Sequence, residues 1–293
     1  MKALIIAEHA GAAAELAAGA RTMADEVVAI SFGEPANCGA DKVIRINVPE
    51  GIALDAAADT VNAAFDAERP EIVLVEAARH MKVIAGSLAF HADTSVITDV
   101  MAFEEAGAKS MYFGGIAERV QKPAGEVAIY TVGAGVFEGA EAANGSVVDQ
   151  EWVEPARAVK VISFKAIEKS GVDLFKAEVV VAAGRGFAEE SQLDMANALC
   201  DKLGAGLACS RPLTEGVNWL PTERYVGVSG LMLTPKAYIA VGISGQMQHM
   251  VGCNRSGAIF TINKDKNAPI FKQCDYGLVG DLKDILPALT AAL

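Results

Sequence analysis

The sequence predicts an α/β protein with two domains, and three observations support that prediction. Short apolar runs that are typical of buried strands alternate with Ala-rich helical stretches in both halves of the chain. Hydrophobic residues make up 52% of the 293 residues and aromatic residues only 6%, a composition typical of parallel sheets covered by helices. A chain of this length also exceeds a single typical core and suits two.

The first half predicts a Rossmann-like α/β domain with extra strands. Its first strands alternate with helices at residues 12–23 and 54–68, and these strands cover residues 3–7, 27–31, 43–46 and 72–76. From residue 101 to residue 152 the pattern changes to shorter runs joined by Gly-rich turns. We expect these runs to complete the domain with strands at residues 111–113, 127–132 and 146–153.

A charged segment, KAIEKSGVD at residues 165–173, predicts an exposed link. We therefore expect one domain over residues 1–171 and a second over residues 172–293. The pattern beyond the link predicts a compact, doubly wound unit with a parallel sheet. Its strands are expected at residues 177–183, 206–209, 237–243 and 258–262, and its helices at residues 189–203 and 281–293.

Composition and charge argue against several classes of function. The formal charge of −12, without a Lys/Arg cluster, argues against nucleic-acid partners. The sequence has no apolar run of about 18 residues that could insert into a membrane, and no targeting pattern, so we expect a cytoplasmic protein. Five cysteines without a C-x-x-C pair predict free thiols, not a zinc site, an iron–sulfur cluster or a disulfide framework.

Polar residues follow each predicted strand of the second domain, at the sheet edge where open α/β proteins bind ligands. The segment YIAVGISGQMQHMVGCN shows this best, because a strand runs into a Gly/Ser turn and then into a helix start. The predicted pocket for a phosphorylated cofactor comprises Gly184-Arg185-Gly186, Ser210-Arg211, Ser244-Gly245-Gln246, Gln248-His249, Asn263-Lys264-Asp265 and Asp281.

Three of these residues have a structural alternative. Arg185 suits a pyrophosphate because the flanking glycines allow close backbone approach, but a surface ion pair is the alternative. Asp281 can accept from ribose hydroxyls or cap its helix. His249 can donate to a ring carbonyl and, when charged, stabilise an electron-rich ring, whereas a structural histidine is the alternative.

Several catalytic motifs are missing from the sequence. It has no nucleophile elbow, no Ser/His/Asp order, no metal-ligand spacing and no Walker motif. Gly184-Arg185-Gly186 does not complete G-x-G-x-x-G, because residue 189 is Glu. A standard nicotinamide site is therefore weakly supported, and a flavin dinucleotide remains open. A nucleotide-binding regulatory module and an oxidoreductase with its own substrate pocket remain open.

Six segments of the second domain, in this order, resemble the electron-transfer flavoprotein α subunit: VAAGRG, ACSRP, YVGVSG, AVGISGQMQHMVG, FTINKDKNAPIF and DYGLVGDLKDILPAL. MKALIIAEH, EIVLVEAARHMKVIAGSLAF, ITDV and GGIAERV of the first domain are similar to the same family more loosely. The resemblance implies a heterodimer with a β subunit, in which this chain binds FAD in its second domain. It also implies an electron carrier that transforms no organic substrate itself.

The resemblance further implies roles for individual residues. Arg211 would lie against the isoalloxazine ring, where its charge favours reduced flavin. Val228 stands where many relatives have Gln, so we expect the flavin potential to differ from theirs, while Ser229 keeps the hydroxyl near flavin N5. The other implied FAD contacts are Arg185, Ser210, Ser244, Gly245 and Asn263 at the phosphates and ribityl chain, Asp281 and Leu282 near the adenosine, Gln248 and His249 at the flavin, and Val226, Gly227, Gln246 and Met247.

The implied redox partner is a flavin-dependent acyl-CoA or enoyl-CoA dehydrogenase or reductase. QMQHM and the ACSRP context are closest to the branch associated with anaerobic enoyl-CoA or carnitine-type reduction. Electron transfer requires partners to reach the flavin edge, so we expect the second domain to be mobile about the link near residues 169–174.

Overall fold

A computed structural model describes residues 1–157, 159–164 and 172–293 of the chain. The chain forms two compact units, Met1–Tyr112 with Glu118–Lys165 and Phe113–Ala117 with Ala166–Leu293. The predicted boundary between residues 171 and 172, and most of the predicted link, fall among residues 165–171, which lie outside the described residues. That boundary and its mobility stay predictions.

The first unit is built on a nine-stranded sheet in the order β7-β6-β5-β8-β4-β1-β2-β3-β9. The strands from β9 to β5 pair in parallel, and β6 pairs antiparallel to β5. The elements are β1 Lys2–Ile6, α1 Ala10–Arg21, β2 Glu26–Phe32, β3 Lys42–Ile46, α2 Ala58–Glu68, β4 Ile72–Glu76, α3 Arg79–His91, β5 Val96–Glu104, β6 Gly107–Tyr112, β7 Ala117–Gln121, β8 Ala128–Val132 and β9 Ser146–Gln150.

Both faces of the central strands of this sheet are buried, which explains their nearly continuous apolar runs. On one face, Val61 of α2 and Ile84 of α3 pack against strand residues such as Leu4. On the other face, Leu16 of α1 packs against Ile5. β5 was not predicted from the sequence pattern. Asp99 adopts a left-handed φ of 52° within it, and this irregularity interrupts the alternation.

The strand predicted at residues 111–113 is displaced in the structure. Residues 111 and 112 form the end of β6, whereas Phe113 begins a 3₁₀ turn with a positive φ of 50°. A left-handed residue disrupts regular strand pairing, and at Phe113 the chain leaves the strand. The aromatic and apolar side chains of this segment imitate a strand signal at the point where the strand ends.

The second unit contains a five-stranded, entirely parallel sheet in the order β11-β10-β12-β13-β14. The predicted α/β class, with extra strands in the first half and a parallel sheet in the second, is confirmed. Its elements are β10 Val179–Ala183, α4 Leu193–Leu203, β11 Gly206–Cys209, β12 Ala237–Val241, α5 Met247–Met250, β13 Ala258–Asn263, β14 Tyr276–Val279 and α6 Leu282–Ala292.

The strand order reverses between β10 and β12, because the chain first adds β11 on one side and then β12 on the other. Loops that leave the carboxyl ends of such strands diverge and form a crevice. α4 and α6 cover one face of the sheet, where Leu199 and Leu286 are fully buried. Short helical turns and irregular segments cover the other face, around Tyr238 and Ile270.

Within the described residues, no helix combines the length and apolar character needed to cross a membrane. The same residues hold no group of three or more His, Cys, Asp or Glu side chains that could bind a metal ion. All five cysteines are free thiols, and four of them are buried.

Candidate functional site

The larger cavity of the second unit, about 320 Å³ in volume, lies at the carboxyl ends of β10, β11 and β12. This is the crevice created by the reversal in strand order. Pro212, Tyr225 and Ile243 contribute to its wall. The predicted residues that line it are Arg185, Ser210, Arg211, Val226, Gly227, Val228, Ser229, Ser244, Gln246, Gln248 and His249.

A smaller cavity of about 150 Å³ lies beside the larger one, and Gly242 lines both. Of the predicted residues, Asn263, Asp281 and Leu282 line the smaller cavity. Lys264 also contributes to its wall. The two cavities therefore form a cleft of two parts along the carboxyl edge of the sheet.

Close backbone packing at Gly242 holds the two parts of the cleft together. Gly186 donates its N–H to the carbonyl of Gly242 at 2.9 Å. A Cβ atom at Gly242 would lie 2.7 Å from Cα of Gly186, and its φ of 64° is left-handed. Only glycine meets both requirements without strain. The close contact between the backbones of Gly186 and Gly242 thus explains why the sequences after β10 and β12 are rich in glycine.

One wall of the larger cavity is a turn formed by residues 225–231. Val226 donates its N–H to the carbonyl of Cys209 at 2.9 Å, and Val228 donates to the carbonyl of Gln248 at 2.8 Å. The hydroxyl of Tyr225 donates to the carbonyl of Ser229. These bonds fix the turn between β11 and α5 and leave the side chains of Val228 and Ser229 exposed.

Two buried polar atoms in the larger cavity have no hydrogen-bond partner in the described part of the chain. They are Oγ of Ser210 and Nδ1 of His249. The backbone of Ser210 is fixed, because its N–H donates to the carbonyl of Ala183 at 2.9 Å. Buried polar groups are nearly always hydrogen-bonded in proteins, so both atoms indicate a missing polar ligand.

His249 lies in the single turn of α5 and is only 8% exposed. Its Nε2 atom lies 2.9 Å from the hydroxyl of Tyr238. Burial lowers the pKa of His249 to about 4, so the imidazole is neutral at neutral pH. Of the two roles considered for His249, the neutral hydrogen-bonding role fits this pKa, and the role that requires a charged ring does not.

The two arginines of the larger cavity are exposed. Nε of Arg211 lies 2.5 Å from a carboxylate oxygen of Glu215, and this hydrogen bond raises the pKa of Arg211. Arg211 begins the π-helical turn Pro212–Gly216, which places Glu215 four residues later on the same side. The pairing of Arg211 with a carboxylate was not predicted from the sequence.

Two predicted residues of the smaller cavity also have structural roles. Asn263 donates from Nδ2 to the carbonyl of Ile243 at 2.8 Å and accepts from the N–H of Asp265 at 2.9 Å, which ties two loops together. Asp281 accepts from the N–H of Lys283 at 2.9 Å and caps α6. The capping alternative is thus present, and Asp281 nevertheless lines the cavity.

The structure does not bring Gly245 and Met247 into the wall of either cavity. Gly245 packs against Ile270, and its carbonyl accepts from Nε2 of Gln273 at 2.9 Å. Met247 begins α5 with 37% of its surface exposed. Sequence reasoning included both because they lie within the SGQMQH segment.

Sequence reasoning did not single out Tyr238 or Tyr225. Tyr238 lies within the otherwise aliphatic β12, AYIAV, and is completely buried. A buried tyrosine needs a partner for its hydroxyl, and this requirement was the available signal. The identity of the partner depends on how α5 folds back over the sheet, which the sequence pattern does not give.

Comparisons with known proteins match both halves of the chain. Residues 173–254 match the family model of the electron transfer flavoprotein FAD-binding domain, and residues 3–168 match that of the electron transfer flavoprotein domain.

Among curated relatives, the chain is similar to Protein FixB of several Escherichia coli strains. It is 45% identical to that of E. coli O81 (strain ED1a) over 229 residues, which cover 76% of this chain and 73% of the relative. Protein FixB of E. coli O7:K1 (strain IAI39 / ExPEC) is 44% identical over the same shares of the two chains. Protein FixB of E. coli O6:H1 (strain CFT073 / ATCC 700928 / UPEC) is 45% identical, also over 76% and 73%.

Proposed function

The chain belongs to the electron transfer flavoprotein family as an α subunit, and from this premise we propose that the two-part cleft of its second unit holds one FAD. The main support is the pair of buried, unpartnered atoms in the larger cavity, Ser210 Oγ and His249 Nδ1. A flavin dinucleotide offers carbonyl, hydroxyl and phosphate groups that can satisfy both atoms. Gly242 lines both cavities, which fits a cofactor that runs from one cavity to the other.

We assign the isoalloxazine and ribityl portions to the larger cavity and the adenosine end to the smaller one. Val228, Ser229 and His249 then face the flavin, and Arg211 supplies positive charge beside it. Arg185 and Ser244 contact the phosphates and the ribityl chain. Asn263, Asp281 and Leu282 surround the adenosine end.

When bound, FAD accepts and releases the electrons. The residues of the cleft bind it, orient it and adjust its affinity for electrons. Arg211 favours the reduced state by electrostatic attraction, but Glu215 compensates part of that charge. The apolar side chain of Val228 makes no hydrogen bond at the position where many relatives have Gln. We therefore expect the potential to differ from those of such relatives.

The chain acts as an electron carrier in this proposal and transforms no organic substrate itself. As an α subunit it has a β subunit as its partner. We further propose that a flavin-dependent acyl-CoA or enoyl-CoA dehydrogenase or reductase exchanges electrons with the pair. A cytoplasmic location is part of the proposal and is supported by the five free cysteines.

An absorption spectrum of the full chain, coexpressed with its β subunit, tests this function. We expect bound FAD that exogenous reductant bleaches and air restores. Ser210→Ala should weaken FAD binding roughly threefold to tenfold, because one hydrogen bond is lost. Ser256→Ala is the matched control, since the Ser256 hydroxyl donates to the carbonyl of Cys253 and lines neither cavity. A colourless, folded complex that binds only AMP or ATP would contradict the proposal and support a regulatory module.

A further inference from the structure

Tyr238 lies immediately behind the larger cavity. Its side chain is 0% exposed within β12, and its hydroxyl is 2.9 Å from Nε2 of His249. The two rings are 6.1 Å apart between centroids, with 53° between their planes. His249 lines the cavity, whereas Tyr238 does not. Any influence of Tyr238 on a ligand must therefore pass through His249.

The protonation states of Tyr238 and His249 limit which of the two can donate the hydrogen bond between them. Burial lowers the pKa of His249 to about 4 and raises the pKa of Tyr238 well above its ordinary value. Both side chains are therefore neutral at neutral pH. A neutral imidazole has one N–H and one acceptor nitrogen. If the phenol donates to Nε2, the ring hydrogen must be on Nδ1.

Cys253 is the third member of this buried cluster and offers the Tyr238 phenol only a weak alternative partner. Its thiol is within hydrogen-bond reach of the Tyr238 phenol, and burial raises its pKa to about 12, so it stays protonated. Sulfur is a much weaker acceptor than an imidazole nitrogen. The phenol therefore donates to Nε2 of His249, while the Cys253 thiol can donate weakly to the phenol oxygen.

This hydrogen-bond order agrees with the surroundings of the other ring nitrogen. Nδ1 of His249 is buried and makes no hydrogen bond within the described chain. A hydrogen on this nitrogen is therefore available to a ligand in the larger cavity, which His249 lines.

We propose that Tyr238 is a positioning residue whose hydroxyl donates to Nε2 of His249 and thereby presents Nδ1–H to the bound cofactor as a neutral donor. The inference rests on the proposed function, because it deepens the role of His249 toward FAD. A carbonyl oxygen of the flavin ring is the chemical group that accepts this hydrogen. Without the phenol, either nitrogen of His249 could hold the hydrogen, and the donor would be lost part of the time.

Nitrogen NMR of the full chain, labelled with ¹⁵N-histidine and paired with its unlabelled β subunit, tests the proposal directly. The chain has four histidines, and a His249→Asn variant identifies the signals of His249. We expect a protonated Nδ1 and an unprotonated Nε2, both with FAD and after its removal. Tyr238→Phe should move the hydrogen from Nδ1 to Nε2 in part of the molecules, whereas Cys253→Ala, a change of another buried member of the cluster, should not.

FAD binding supplies the second readout. Tyr238→Phe should weaken FAD binding roughly threefold to tenfold, the effect of one neutral hydrogen bond, and Cys253→Ala should change it less than about twofold. A wild-type protein with the hydrogen on Nε2, or a Tyr238→Phe variant that keeps it on Nδ1, would overturn the inference. Absence of FAD binding in the wild type would instead overturn the proposed function, since the FAD-free spectrum still reports the tautomer.

Discussion

At the scale of single residues, the carboxylate of Glu215 determines how much of the charge of Arg211 acts on the cleft. Its guanidinium is exposed and paired with Glu215, four residues later in the same turn. Exposed pairs of this kind contribute little to stability, so the pair is better understood by its effect on the local field. Glu215 reduces the positive potential that the flavin would otherwise experience.

Glu215→Gln should therefore raise the midpoint potential of bound FAD, because the charge of Arg211 is no longer compensated. The shift should shrink as ionic strength rises, since exposed charges are screened. Redox titration of the variant at low and high salt measures both effects. Glu178→Gln is the control, because Glu178 forms a comparable exposed pair with Lys236 and lines neither cavity. An unchanged or lowered potential for Glu215→Gln would contradict this account.

The lowered pKa of His249 should also make the free energy of unfolding depend on pH. Its pKa is about 4 in the folded chain and near 6.5 when unfolded, so the unfolded chain binds more protons between these values. The free energy of unfolding should thus fall by at most about 3 kcal/mol as pH drops from 6.5 to 4. The neighbouring Tyr238 and Cys253 stay uncharged in this window, because burial raises their pKa values.

Urea unfolding of the FAD-free complex at several pH values measures this contribution as the difference between wild type and His249→Gln. The variant should lose less stability than the wild type on acidification. His91→Gln is the control, because His91 is exposed and lies outside the second unit. Parallel curves for wild type and His249→Gln would show that His249 does not stay neutral in the fold.

At the scale of elements, the loops after β10 and β12 determine whether the cleft forms. Gly242 and Gly204 allow this idea to be tested with matched substitutions, since their φ values are 64° and 62°. A Cβ at Gly204 meets nothing within 4 Å, whereas one at Gly242 meets the backbone of Gly186 at 2.7 Å. The difference between the two alanine variants isolates the loop contact from the cost of the left-handed conformation.

Gly204→Ala should cost about 1 kcal/mol of unfolding free energy, the expense of the left-handed backbone alone. Gly242→Ala should cost roughly 1–3 kcal/mol more, because the loops must separate. It should also weaken FAD binding, whereas Gly204→Ala should leave binding unchanged. Denaturant unfolding and FAD titration of both variants measure these effects. Equal losses in the two variants would show that the close contact is unimportant.

At the N-terminus of α6, two substitutions of Asp281 can distinguish its role as a helix cap from a role in ligand binding. Asp281→Ala should cost about 1 kcal/mol, since the hydrogen bond to the Lys283 N–H is lost, whereas Asp281→Asn should preserve the cap. If the carboxylate accepts from ribose hydroxyls, both variants should bind FAD more weakly. Thermal unfolding and FAD titration compare them. Wild-type affinity in Asp281→Asn would leave Asp281 with only its capping role.

The elements also show where sequence reasoning succeeds and where it fails. Strands β10 to β13 were predictable because each is an apolar run followed by a Gly-rich or polar loop. β14, whose four residues are all exposed, lacks that apolar burial signal and was not predicted. The placement of Ser210 and His249 at one cavity followed from the rule for strand ends. The bonds Tyr238–His249 and Arg211–Glu215 did not, because they depend on distances across the fold.

At the scale of the whole molecule, each unit has its own hydrophobic core, and both parts of the cleft lie within the second unit. A ligand that binds only the folded second unit stabilises that unit by mass action. The first unit has a cavity of about 420 Å³ near Ala10 and Glu141, but no buried unpartnered atom of the described chain lines it. FAD binding by this chain should therefore slow amide hydrogen exchange around the cleft of the second unit and not in the first unit.

Hydrogen exchange of the full chain in its complex, with and without FAD, measures that pattern. We expect slower exchange in peptides that contain Ser210, residues 225–229, His249 and Asp281, and little change around Ala10. AMP alone should protect the peptide with Asp281 and leave residues 225–229 unchanged, because it contains only the adenosine end. FMN should do the reverse. Protection of residues 225–229 by AMP would reverse the orientation assigned to FAD, and protection around Ala10 in response to FAD would place a binding site in the first unit instead.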